Sequence, residues 1–313
     1  MSTLLLVSIA AVFSFADAPA APPAAALPEE LSSLNLLWED EEKLVEGVRQ
    51  FDLVQLALVD WDQELAQQHD FAGDAALAKE KLAEAKRRVE LVRRAYEEVL
   101  KRYPNNARAR VYLGEVYYDR MHDEGLGVKL WQEALSLDSK LHEAMNNLSI
   151  HYSHVGEPEK ALDYLEKALE LAPKNADYLF NAAQLYLVHF PVVRKRHGWT
   201  VEQVYRRAME FSRRAVEARP DDYPLVSDYA FNFFWGAEKG FKTDWREAAS
   251  VWQKARSIAR NRDELFNSWL NEGRVWVRAG DQAKAAACVE EAIKIYPDSA
   301  SAKNLLAGLK AGG

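Results

Sequence analysis

An all-α array of stacked helix pairs is the fold this sequence predicts, and three observations carry the prediction. A pattern of one small residue flanked by large apolar ones recurs five times. Each recurrence is followed by two small residues seven positions apart, and then by a break five positions further on. No segment alternates apolar and polar residues with the period of two that a half-buried strand requires.

The chain opens on an apolar run, residues 4–15, followed by Ala16-Asp17-Ala18, the small-x-small pattern at which signal peptides are cut. Residues 1–18 are therefore expected to be a signal peptide, although no lysine or arginine precedes the apolar run. That run is too short for the roughly 20 apolar residues a spanning helix needs. Residues 19–34 begin rich in alanine and proline and read as a linker. Residues 35–103 carry helical periodicity and are expected to form an N-terminal helical cap. Asp74 is positioned to cap a long helix running to about Lys101. Val92, Tyr96, Val99 and Pro104 mimic the second helix of the units that follow.

The repeat occupies residues 104–313 together with a C-terminal capping helix at 301–310. Arg110-x2-Leu113-Gly114-x2-Tyr117 recurs as Met145-x2-Leu148-Ser149-x2-Tyr152, Leu179-x2-Ala182-Ala183-x2-Tyr186, Val226-x2-Tyr229-Ala230-x2-Phe233 and Trp269-x2-Glu272-Gly273-x2-Trp276. The paired small residues are Gly127/Ala134, Ala161/Ala168, Ala208/Ala215, Ala248/Ala255 and Ala285/Ala292. Pro173, Pro220 and Pro297 supply the break in three units, where a missing N–H and a fixed φ stop a helix. Small residues on facing helices let the pair approach closely, while the large ones fill the seam. Gly156 and Gly280 fall at the turns within units, where a left-handed backbone suits glycine. Successive small positions are 35, 34, 47 and 43 residues apart, so the third and fourth units carry added segments. Thr200 and Gln203 form a capping-box pattern that starts a helix after the first of these, leaving the basic segment before it as a loop.

This arrangement resembles the tetratricopeptide-repeat family, over about residues 105–297, with residues 142–175 fitting without insertion. The resemblance implies a solenoid of about five helix pairs whose concave groove is lined by the first helices. Carried onto this sequence, that lining includes Arg108, Val111, Glu115, Tyr118, Asn146, Ile150 and His154 early on, then Phe180, Gln184 and Leu187. Ser227, Phe231, Phe234 and Trp235 continue it, followed by Leu270, Arg274 and Arg278. The run Phe231-Asn232-Phe233-Phe234-Trp235 holds more rings than one helical seam can bury. Phe233 belongs to the repeat pattern, which leaves the other three either facing the groove or covered by the added loop at 236–243. The partner-binding residues expected are Phe180, Gln184, Ser227, Phe231, Phe234, Trp235, Arg274 and Arg278. The carboxylate clamp of co-chaperone members needs lysines or arginines beside Asn146, Asn147 and Asn181, and those units lack them.

A second candidate is a basic docking surface, Arg194, Lys195, Arg196, Arg206 and Arg207. Its alternative reading is a solvated helix face, because Arg206/Glu210 and Arg213/Glu217 are spaced to pair. A formal net charge of -8 argues against a nucleic-acid binder, which needs a broad positive field. With one cysteine, Cys288, in an alanine-rich helix, no intrachain disulfide or cysteine metal motif can be built. His142-Glu143 lacks the second histidine of a zinc motif, and His151 with His154 lacks further ligands. There is no phosphate-binding glycine loop and no nucleophile elbow.

The function expected is a non-catalytic scaffold, without cofactor, that holds a peptide or helix of a protein partner in its groove. Its place is expected to be periplasmic or secreted, with a cytoplasmic location as the alternative. Two other readings compete: a self-assembling homo-oligomer, and an enzyme using the N-terminal helical region.

Overall fold

The computed structural model describes residues 40–311. The expected signal peptide, the linker and the first residues of the cap lie outside them. Among the described residues all regular structure is helical, and the chain divides into two compact units that meet in sequence at Asn147 and Leu148.

The first unit holds α1 (Glu41–Phe71), α2 (Ala75–Arg102), α3 (Ala107–Glu115), α4 (Glu124–Leu137) and the first part of α5 (His142–His154). α1 and α2 pack along each other, joined by a tight turn at Gly73, whose φ is 82°. Side-chain caps define the starts: Asp40 accepts from the N–H of Lys43 at 3.0 Å, Asp74 from Leu77 at 3.2 Å, and Asn106 from Ala109 at 2.7 Å. Each such cap stabilises its helix by about 1 kcal/mol. α3 continues through a π-helical turn, Val116–Arg120, before α4 folds back against it. The small position of the first repeat is demanded by contact. A Cβ at Gly114 would lie 2.5 Å from Nε1 of Trp131, whose indole donates to the Val111 carbonyl at 3.1 Å.

The second unit continues with α6 (Pro158–Leu171), α7 (Ala176–Val188), α8 (Phe190–His197), α9 (Val201–Ala218), α10 (Tyr223–Glu238), α11 (Trp245–Ser257), α12 (Arg262–Ala279), α13 (Gln282–Ile295) and α14 (Ala300–Ala311). α7 pairs with α9, α10 with α11, and α12 with α13, while α14 closes the end against α13. Ala183, Ala208, Ala230, Ala248, Ala285 and Ala292 are wholly buried, as close helix approach requires. Leu162, Leu165 and Leu179 fill the first seam, each worth about 1.5–3 kcal/mol of apolar burial. Pro173, Pro220 and Pro297 each stand two residues beyond a helix end. Gly156 and Gly280 turn left-handed, both at φ 78°.

The added segment of the third unit differs from the expected loop, because residues 190–197 form α8. Pro191 sits in its first turn, where a missing N–H costs nothing, and Gly198 ends it at φ 69°. The capping box then opens α9: the N–H of Gln203 donates to Thr200 Oγ1 at 3.2 Å and the N–H of Thr200 to Gln203 Oε1 at 2.8 Å.

A candidate peptide face on the first helices of the second unit

The first helices α7, α10 and α12 lie side by side and are tied by polar contacts. Gln184 Nε2 on α7 donates to Asp228 Oδ1 on α10 at 2.7 Å. The Tyr223 hydroxyl on α10 donates to the Glu264 carbonyl on α12 at 2.9 Å and receives Ser268 Oγ at 3.2 Å. Each of the three helices leaves an apolar side chain in solvent: Val188 is 55% exposed, Phe231 47% and Val277 39%. Phe231 rests edge-on against the buried Trp252, with ring centroids 4.8 Å apart, so its ring is held while its outer face stays open.

The remaining rings of that run are partly covered. Phe234 lies against Trp245 at 5.4 Å. Trp235 stacks on Tyr205 at 5.7 Å and meets the edge of Phe190 at 5.9 Å, and the added loop brings Phe241 onto Tyr205 at 5.5 Å. The Lys239 ammonium closes this cluster, 5.2 Å from the Phe190 ring and 5.4 Å from Trp235. Gly236 is what lets Tyr205 in, since a Cβ there would meet its ring at 2.3 Å. Phe180 is half-buried, and Ser227 turns its hydroxyl to the Pro224 carbonyl at 3.1 Å.

The charges on this face are unusual in lacking partners. Asp228 accepts from Gln184 and from Asn232 Nδ2 at 3.1 Å, both neutral amides, and no lysine or arginine among the described residues pairs with it. Burial holds its carboxyl up at about 6. Arg274, at the repeat position equivalent to Phe231, donates to Asn271 Oδ1 at 2.8 Å, and burial alone lowers its pKa. Arg278 is exposed one turn further along α12. Asp228 escaped the sequence reading, which placed Ser227 in the groove and left its neighbour unremarked.

Four residues expected in the groove lining are core instead: Val111, Asn146, Leu187 and Leu270 are all buried. Leu187 joins the apolar cluster that α7 shares with α9, and Leu270 the one that α12 shares with α13 and α14.

The basic surface is largely internally paired. Arg196 reaches Asp163 at 2.7 Å and Glu166 at 2.8 Å; Arg206 pairs with Glu202 at 2.6 Å and Arg207 with Glu210 at 2.7 Å. Arg194 donates to the Trp199 carbonyl at 3.4 Å, and Lys195 is exposed.

In the first unit, the helical cap encloses a charged cluster that sequence reading missed. Asp52 is fully buried; its Oδ2 accepts from the Tyr96 hydroxyl and from Arg49, each at 2.7 Å. Arg49 also reaches Glu115 at 3.1 Å and lies over the Tyr112 ring at 4.3 Å, while Asn147 donates to Glu115 at 3.1 Å. Burial raises both carboxyls. The groups face one another and one cation serves two carboxylates, an arrangement that locks α1 and α2 to α3. Cys288 is buried beside Glu272, and desolvation pushes its thiol up to about 12. Among the described residues no three histidine, cysteine, aspartate or glutamate side chains group to hold a metal, and no helix is long and apolar enough to cross a membrane.

The helix pairs, their small-residue seams and their proline breaks correspond to a known repeat. Family models described as tetratricopeptide repeat match residues 142–175 and 71–137. The chain carries tetratricopeptide repeats over these residues. The second match reaches back through α2, which the sequence reading had assigned to the cap. Solved structures of similar fold include YrrB, a tetratricopeptide-repeat protein described as having an unusual peptide-binding site, at 19% identity with a TM-score of 0.51, covering 67% of this chain and 96% of that one. PilW, a type IV pilus biogenesis factor, is 16% identical with a TM-score of 0.52, covering 79% and 98%. PilF of Pseudomonas aeruginosa is also 16% identical, with a TM-score of 0.51, covering 81% and 99%. No curated protein matches the chain. At these identities the likeness establishes the tetratricopeptide-repeat solenoid fold, and repeats of this family build scaffolds for protein contact.

Proposed function

We propose that this protein holds a peptide or helix of a protein partner on the first-helix face of its second unit. The observation that carries the reading is the row Val188, Phe231 and Val277, one exposed apolar side chain on each of three adjacent helices. Apolar side chains on ordered helices are low-entropy anchors, and aromatic ones dominate binding energy where a partner desolvates them. The neighbouring Asp228 and Arg274 add polar groups that a partner could satisfy. The apolar run at residues 4–15 with Ala16-Asp17-Ala18 after it supports export, which puts the partner in the periplasm or outside the cell.

The test is affinity capture with residues 19–313, beside variants carrying Phe231→Asp or Glu217→Ala. Phe231→Asp takes a half-exposed ring off Trp252 and adds a charge one turn from Asp228, so helicity and Tm are measured first and capture is compared at a temperature where all three proteins are fully folded. A partner held by wild type and by Glu217→Ala, but lost by Phe231→Asp, supports the face. Equal capture by all three contradicts it.

A further inference from the structure

The two unpaired charges flanking Phe231 specify what the face takes, an assignment that rests on the peptide-face reading above. Asp228 lies one turn before Phe231 on α10, so both project from the same side of the helix. Arg274 occupies the matching position one helix across, on α12. The order over the face is thus carboxylate, ring, guanidinium. Neither charge is compensated internally. Asp228 has only the amides of Gln184 and Asn232, and Arg274 only the amide oxygen of Asn271. An asparagine at 228 would keep one of these contacts directly and the other once Gln184 turns its amide, without desolvating a charge. A charge retained where a neutral group would be more stable marks a place where function is served at the expense of stability.

We propose that the face binds a peptide segment in which a lysine or arginine, an apolar side chain and an aspartate or glutamate follow one another, seated on Asp228, Phe231 and Arg274 respectively. The spacing follows from the helices. Asp228 and Phe231 are about 5 Å apart along α10, and neighbouring helix axes lie about 8–10 Å apart. An extended peptide advances about 3.3 Å per residue. The first spacing runs along α10 and the second across to α12, so the peptide bends at its apolar residue, with the basic residue about two positions to one side and the acidic residue about three positions to the other. Asp228, a partly buried charge with no internal ion partner, gains most from a ligand of opposite sign because it has already lost part of its hydration, while the exposed Arg274 offers a free guanidinium at the other end.

The test uses fluorescence anisotropy with blocked, labelled peptides containing Lys-Ala-Leu-Ala-Ala-Glu, and versions with the lysine, the glutamate or the leucine replaced by alanine. The full chain from residue 19 is compared with Asp228→Asn, Arg274→Ala and Phe231→Asp. Expected is about tenfold weaker binding on removing either charge from the peptide or its counterpart from the protein. Removing both members of one pair should cost no more than removing one, the signature of direct coupling. If the peptides bind and Phe231→Asp abolishes binding, but the charge changes have no effect, this assignment falls while the face itself stands. If no peptide binds wild type, both fall. If wild type sediments as a dimer that Phe231→Asp dissociates, the face is covered by a second copy and the peptide assignment is overturned.

Discussion

Replacing Asp228 by asparagine should make the protein more stable at neutral pH, and the size of the gain can be worked from its surroundings. Burial raises its carboxyl from 3.8 to about 6. The folded protein therefore holds a proton that the unfolded chain releases between those values. Stability is lost as pH rises through that window, and the full penalty applies above it. About two units at roughly 1.4 kcal/mol each set a ceiling of about 3 kcal/mol. Part of this is given back, because the new Nδ2 must face Gln184 or Asn232; Gln184 can turn its amide and accept. The expected net gain is about 1–2 kcal/mol at pH 7.5, or about 3–6 °C in Tm. Near pH 4 the folded wild type is itself protonated and the unfolded chain largely so, and most of the difference should be lost. Urea denaturation of both proteins at pH 7.5 and pH 4.5 is the assay. A variant less stable than wild type at pH 7.5, or a gain that persists unchanged at low pH, would refute the account of Asp228 as an uncompensated charge.

Other consequences follow from packing. Gly236→Ala forces Tyr205 off its stack with Trp235 and Phe241, and should cost about 1–3 kcal/mol by chemical denaturation, as overpacked cores do. Glu272 is buried and bonded to Gln253 at 2.7 Å, to Arg256 and to Trp276 at 3.2 Å; Glu272→Ala leaves the arginine unpaired and should cost about 3–5 kcal/mol. Thr200→Ala removes one half of the capping box and should cost about 1 kcal/mol, with amide exchange rising first at the start of α9.

What was legible in the sequence was what packing imposes locally. Gly114 beside Trp131, Gly273 beside Val289 and the prolines two residues past each helix end are contacts that admit few residue types, so they repeat and can be read. The face itself was legible only in part. Phe231, Arg274 and Arg278 follow from repeat register, but Asp228 does not, because its burial is set by Gln184, 44 residues earlier on another helix. For the same reason Asp52 and Arg49 read as surface charges of α1, when Tyr96 and Glu115 close over them. The added segments carried no register at all. Thus α8 was expected as a loop, and the covering of Trp235 depends on where Phe241 lands.

The central claim is that the first-helix face of the second unit is where a partner protein sits. Its most direct test is photo-crosslinking in the native cells, with benzoylphenylalanine placed at 231 and, as a control, at the exposed position 217 on α9. The account predicts a crosslinked protein from position 231 that is absent from position 217 and suppressed by the unlabelled Lys-Ala-Leu-Ala-Ala-Glu peptide. No adduct at 231, or the same adducts from both positions, would contradict it.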